Sequence, residues 1–512
     1  MQAAGDGAHN PAALFFGLFV VVSLAITWIA ARRTRDTADF LVAGGRVGTV
    51  QNGLALTGDF LAATGFLGIS GLIALIGFSG ATYSIGAMVG WPLMTFLLAE
   101  PLRRMGRYTI ADVLMYRLDA PSVRLLSAIG SLAVLLMFSL MSMVGAGALV
   151  RLLLGLSYDA SVWLVGGMML VYVLLGGMIA TTWVQTIKCV VMMGSALALA
   201  VMVLAGFGFS PGALFNAAAA RNGVGVLAPN PNAIGLWDFL SAGISSVIGV
   251  ASLPHVLTRF FTVPDTRTAR QSLVIATGLI GLNMLIIFIV GFGGMALVGS
   301  AAIRAVERGG NMTIPLLAQQ LGGPWFLGFI AAVALATILA SFCGLVMTGV
   351  ATLSHDLWGR LVRGGRAGER EQYLVAKICT VGFCLVGVFL GITFQGQNIA
   401  FLSGLASSIA ASTNFPALVL AIFWRRFTAA GAVAGMLTGL LACLLLVWMS
   451  PFIQMQMLGH AGAPIGLNTP GLIAIPLAFV VSIVVSLLTA RASDAARFDA
   501  VEQAMAGGVT HG

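Results

Sequence analysis

The chain has 512 residues, of which 59% are hydrophobic and only 8% charged, with a mean hydropathy of +1.01. A water-soluble fold of this length draws about a quarter of its residues from Asp, Glu, Lys and Arg to cover its surface, so this composition excludes one. The net charge of +9 does not argue for a nucleic-acid partner, because the bases are scattered between apolar blocks rather than gathered into a patch.

Those blocks run to about 20 residues or more, enough for a helix rising ~1.5 Å per residue to cross a ~30 Å hydrocarbon core. In chain order they fall near 11–30, 48–76, 79–100, 123–150, 160–178, 182–208 and 237–257. The remainder lie near 268–298, 324–354, 373–394, 398–424, 428–450 and 471–490. The expectation is an all-α polytopic membrane protein with 13 transmembrane helices. The first block has no basic residue before it and so lacks the charged start of a signal peptide. It reads as a retained helix with its N-terminus outside. On that orientation 22 of the 26 Lys and Arg residues, Lys188 and Arg259 among them, fall on the cytosolic side. Only Arg151, Arg221, Arg304 and Arg308 fall outside, as the positive-inside rule requires. The expected location is the bacterial inner membrane, with a cytosolic C-terminal tail too short for a signalling domain.

The second block reads "NGLALTGDFLAATGFLGISG" (Asn52–Gly71) and places Asp59 among glycines at mid-membrane. A charge there costs about 2.5–3.5 kcal/mol on insertion scales, which makes Asp59 a functional candidate, with helix-holding ion pairing as the structural alternative. The seventh block, "LSAGISSVIGVASLPHVL" (Leu240–Leu257), is again small and glycine-interrupted and ends near Pro254. Five segments separate the two starts. An odd offset inverts one half against the other, the arrangement of inverted-repeat transporters whose broken helices expose carbonyls and amides at the midplane.

Other features carry less. The five cysteines (189, 343, 379, 384, 443) lie in apolar blocks without CxxC spacing and read as packing residues. His355–Asp356 reads as the polar end of a helix, with a proton relay as the alternative. No phosphate-binding loop, HExxH or nucleophile elbow is apparent, so neither ATP-driven transport nor enzyme chemistry has visible machinery.

Long stretches resemble the sodium:solute symporter family, and within it the cation/acetate branch. They are "DFLVAGG" (Asp39–Gly45), Gln51–Gly71, "VGWPLMTFLLAEPLRRMGRYTIADVLMYRL" (Val89–Leu118), "GGMIATTWVQTIK" (Gly176–Lys188), "LPHVLTRFFTVPDTRTARQS" (Leu253–Ser272), "ATILASFCGLVMTGVATLSHDLW" (Ala336–Trp358) and "QNIAFLSGLASSIAASTNFPALVL" (Gln397–Leu420). The resemblance implies a LeuT-like five-plus-five inverted-repeat core. Repeat 1 would cover 47–208 and repeat 2 would cover 237–424. Outside the core would lie 1–46, an external loop at 209–236, peripheral helices at 425–490 and a tail at 491–512. It implies symport of a short monocarboxylate such as acetate, with Na+ as coupling ion and no other cofactor. No obligate protein partner is expected.

By the same resemblance, the Na+ ligands map to Gly58, Leu61, Thr337, Ala340 and Ser341. The family's sugar and proline branches have two adjacent hydroxyls where this chain has only "AS". That departure leaves open a proton alternative with Asp59 as the coupling carboxylate. Expected substrate contacts are Thr64 and Gly65 past the break, Ser142 on the opposite wall, and Ser408, Ser412 and Asn414 around "NFP". Close helix packing explains Ser142 equally well, and satisfying the backbone freed by Pro416 explains the last three. Pyruvate or proline transport in the same fold remains an alternative, as does an uncoupled channel or sensor.

Overall fold

A computed structural model describes residues 43–506 apart from 107, 176–177 and 231–234, together with scattered positions between 14 and 25. The first predicted segment therefore lies mostly outside the described residues. The described chain is helical, and the helices that matter here run in order from α1 (Thr49–Phe60) to α14. A π-helical section, Leu61–Gly68, joins α1 to α2 (Ile69–Ile76), and α3 (Thr82–Leu97) follows. Next come α4 (Pro121–Leu154), α5 (Tyr158–Leu175) and α6 (Met178–Ala205). The second half holds α7 (Leu236–Val250), α8 (Pro254–Leu257), α9 (Thr266–Gly293) and α10 (Thr313–Ala351). It closes with α11 (Glu369–Thr393), α12 (Ile399–Phe423), α13 (Ala429–Trp448) and α14 (Gly471–Thr489).

Among the described residues ten helices are long and apolar enough to span a bilayer. That count treats Thr64–Leu97 as one helix. Gly77 (φ 65°, ψ −142°) interrupts it, and a 3-10 turn over Gly77–Ala81 separates α2 from α3. Tyr158–Leu174 is apolar but falls just short in length.

Starts and stops follow local chemistry. Asp265, Asn398 and Thr428 sit at N-caps and accept hydrogen bonds from the first free backbone amides of α9, α12 and α13, the groups a helix cannot satisfy for itself. Gly155 in the left-handed region ends α4. The two glycine-rich segments differ. The first stays helical through its π section, whereas the second unwinds at Ala251–Leu253 before Pro254 restarts it. Proline lacks the N–H needed to continue the ladder, and glycine alone shifts the register without opening the chain.

Burial separates core from periphery. In the most apolar window of α12, 94% of positions are buried, against 33% for α14. Lipid gives packed helices no hydrophobic gain, so small residues and close contact hold them. Gly431 and Gly435 on α13 face Ser486 and Ser482 of α14 with no room for a Cβ. At the centre α6 packs on α1 and α10, α4 packs on α10 and α12, and α7 packs on α3 and α12. The helices that surround the middle of the bundle are thus α1, α4, α6, α7–α8, α10 and α12.

Candidate functional site: a charged cluster beside a small central cavity

Asp59 is buried at the junction of α1 and the π section. Arg259, just past α8 and 1% exposed, meets it with Nε 2.7 Å and Nη2 2.6 Å from Oδ2. Its Nη1 donates to Thr182 Oγ1 at 2.9 Å. Gln185 Nε2 donates to Asp59 Oδ1 and, at 3.0 Å, to the carbonyl oxygen of Ala340. Gln185 Oε1 in turn accepts from Lys188 Nζ at 2.6 Å, and the same ammonium donates to Ser341 Oγ at 2.5 Å. This pattern fixes the amide orientation, because a flipped Gln185 would set its oxygen against the carboxylate.

Thr182, Gln185 and Lys188 stand three residues apart, on one face of α6. The approach of α6 to α1 requires Gly58, where a Cβ would lie 2.6 Å from the Gln185 carbonyl. On α10, a Cβ at Gly344 would sit 3.3 Å from Asp59 Oδ1. The cluster thus holds one acid, Asp59, and two bases, Arg259 and Lys188, so bases are in excess.

Beside this cluster is an enclosed cavity that leaves about 20 Å³ for the centre of a water-sized occupant. Its polar lining is Asp59, Thr64, Ser142, His255, Ser341 and Ser403, and its apolar lining includes Phe60, Phe138 and Leu345. His255 is buried against the Phe138 ring (4.8 Å between centroids), and its Nδ1 has no hydrogen-bond partner. Leaving a buried ring nitrogen unpaired costs about 1–3 kcal/mol.

The structure sorts the residues singled out by sequence. Thr64 and Ser142 lie on the cavity wall, with Thr64 Oγ1 donating to Met141 Sδ at 3.0 Å and Ser142 Oγ to Phe138 O at 2.9 Å. Gly65 faces Leu61 of its own helix turn. Ser408 and Ser412 donate to the preceding turns of α12, and the Ser412 carbonyl abuts Gly439 of α13. Asn414 Nδ2 reaches the Ser252 carbonyl at 3.5 Å, at the unwound stretch between α7 and α8. None of these last four lines the cavity.

Of the expected cation ligands, Gly58, Ala340 and Ser341 all meet α6 at Gln185 and Lys188. Leu61 is buried in the π section, and the Thr337 hydroxyl is buried without a partner. Asp59 is paired rather than free.

Two side chains must be moved from their expected places. Counted as loop bases, Lys188 and Arg259 are instead buried in the bundle. Lys188 stands ten residues into α6, about 15 Å of helix and roughly half a hydrocarbon thickness. The signal was the Thr182–Gln185–Lys188 spacing, a polar stripe inside an apolar block.

A second buried cluster joins α4 to the π-helical continuation of α10 (Thr352–Val362). Arg124 Nη1 bridges Asp112 Oδ1 (3.0 Å) and Asp356 Oδ1 (2.6 Å), and His355 Nδ1 lies 3.1 Å from Asp356 Oδ1. The three carboxylate and imidazole side chains come close enough to suggest a metal, but the guanidinium already bonds to both carboxylates. All five cysteines are free.

A bundle of apolar helices, broken or π-distorted around a small polar cavity at its centre, defines an integral membrane transporter. The sodium:solute symporter family model matches residues 40–439, and the chain belongs to that family. Symport rather than catalysis is the activity such a family carries. Among solved structures, the fold is similar to that of a Na+-coupled sialic acid symporter in its substrate-bound outward-open state. The TM-score is 0.74 at 14% identity, covering 94% of this chain and 98% of that one. It is also similar to MHP1, a nucleobase-cation-symport-1 family transporter in a closed conformation with bromovinylhydantoin bound. There the TM-score is 0.55 at 15% identity, covering 92% and 96% of the two chains.

Proposed function

We propose that the protein imports a short monocarboxylate, such as acetate, through the central cavity, across a bacterial inner membrane with its N-terminus outside. The observation that carries the reading is the pairing of a very small cavity with a cluster in which bases outnumber acids. About 20 Å³ open to the centre of a water-sized occupant is little more than one water needs, so a solute of a few heavy atoms demands the least rearrangement. Arg259 and Lys188 stand behind Asp59 and Ser341 of its wall and outnumber the one acid, which favours an anion, and Thr64, Ser142, His255 and Ser403 offer hydrogen bonds to a carboxylate. Phe60, Phe138 and Leu345 supply an apolar wall for a methyl or ethyl group. Thr64 and Ser142, already expected from sequence, thus become proposed substrate contacts, joined by His255 and Ser403.

Uptake of labelled acetate into proteoliposomes, corrected for passive entry into protein-free liposomes, tests this. Excess propionate or pyruvate should inhibit it more than proline or glucose does. If proline or glucose competes better than either acid, the carboxylate reading fails.

A further inference from the structure

Two of the five positions that the family resemblance assigns to a sodium ion, both on α10, are engaged here by the protein's own donors. Ser341 Oγ accepts from Lys188 Nζ at 2.5 Å, and the Ala340 carbonyl accepts from Gln185 Nε2 at 3.0 Å. Sodium needs oxygen ligands with free lone pairs turned toward it, whereas this site turns an ammonium and an amide N–H toward the same oxygens. Lys188 is 6% exposed, held by Gln185 Oε1 and Ser341 Oγ and flanked by the Asp59–Arg259 pair. A second cation beside the ammonium would be repelled by it before it displaced either donor.

The geometry points to Lys188 as a tethered cation that takes the place of sodium between α1 and α10, so that this site binds no Na+ and solute binding beside it needs none. The ammonium performs what a bound ion would: it joins α6 to α10 through Ser341, a residue of the cavity wall, and adds a positive charge behind that wall. Gln185 is the relay that ties this ammonium to Asp59, and Gly58 is the residue that lets α6 come close enough.

The test has two arms, and only the second rests on the carboxylate reading. In the first, thermal unfolding of the purified protein is followed in NaCl and in choline chloride at equal concentration. Wild type should unfold at the same temperature in both. Lys188→Ala, which frees Gln185 Oε1 and Ser341 Oγ and leaves one acid to one base, should gain a sodium-dependent rise. A sodium-dependent rise in wild type that Ser341→Ala removes would overturn the assignment, whether or not Lys188→Ala folds.

In the second arm, acetate uptake by wild type should persist when choline replaces sodium throughout. Uptake that requires Na+, with a half-saturating concentration raised tenfold or more by Ser341→Ala, would also overturn it. Absence of acetate uptake in either salt would count against the carboxylate reading and leave the first arm to decide on Lys188.

Discussion

The two buried charge clusters sit on helices that share the bundle core, yet they are balanced in opposite senses. Around Asp59, one carboxylate faces two bases. Around Arg124, two carboxylates face one guanidinium, with the His355 ring beside Asp356. The difference lies in where each excess charge finds company. Asp112 is half-buried and spends its second oxygen on the backbone amides of Tyr108 and Thr109, so its charge is met by local peptide dipoles. Lys188 has no such neighbour and is met by neutral side-chain oxygens at the cavity edge. An excess satisfied by backbone holds helices together, whereas one left beside a cavity is available to a ligand.

The comparison is broken most forcefully at Asp59. Asp59→Ala strands Arg259 at the centre of the bundle, and unpairing a buried ion pair costs about 3–5 kcal/mol. A large fall in the unfolding temperature is expected. Asp59→Asn combined with Arg259→Gln should recover much of it. If the losses of Asp59→Asn and Arg259→Gln measured singly simply add in this double variant, the pair is not coupled and the charge count around the cavity is wrong.

A smaller effect is expected in the second cluster. Asp356→Asn leaves Arg124 its bond to Asp112, so the loss should be that of one buried charged hydrogen bond, about 1.5–3 kcal/mol. Equal destabilisation by Asp356→Asn and Asp59→Ala, measured in the same detergent, would erase the distinction drawn between the clusters.

The smallest effect lies outside the membrane-spanning helices, at Glu307. Burial pushes its carboxyl up to about 7, against the pull of hydrogen bonds from the Asn311 and Gly309 amides. Its oxygens also anchor Asn311, which reaches the Gln397 carbonyl at 2.9 Å. A carboxyl whose folded value is raised above its ordinary 4.5 stabilises the fold fully below that ordinary value, and the benefit is lost as pH rises through about 7. Unfolding temperature should therefore decline between about pH 4.5 and 7, and Glu307→Gln should flatten this component. An unchanged slope in Glu307→Gln would remove Glu307 as its source.

Much of the fold could be read before the structure because apolar block length is a direct physical requirement of the bilayer. Gly77 punctuates the second and third segments, and Pro254 marks the restart of the seventh. The first glycine-rich segment was expected to break and instead stays helical, because glycines at 58, 65 and 68 without a proline let the helix slip into π geometry rather than unwind. Asp59 was legible as one acid in an apolar run. Its partners were not, because the positive-inside rule treats every base as a loop residue, and that rule moved Lys188 and Arg259 out of the membrane. A base that meets an acid 200 positions away, or reaches one 129 positions away only through Gln185, leaves little local trace. For Lys188 the trace was the polar stripe of α6; for Arg259 it was only the proximity of Pro254.

The central claim is that the small cavity bordered by His255 and the Asp59 cluster takes a short carboxylate, and equilibrium exchange tests it without reference to any driving ion. Proteoliposomes loaded with unlabelled acetate are placed in labelled acetate at equal concentration, and label entry is compared with that into protein-free liposomes. The account predicts protein-dependent exchange in wild type. It also predicts at least a tenfold loss of apparent affinity in His255→Leu, the equivalent of losing a hydrogen bond to a charged group at roughly 1.5–3 kcal/mol, with folding retained. Wild-type exchange no faster than in protein-free liposomes, or unchanged exchange in a folded His255→Leu, would contradict it.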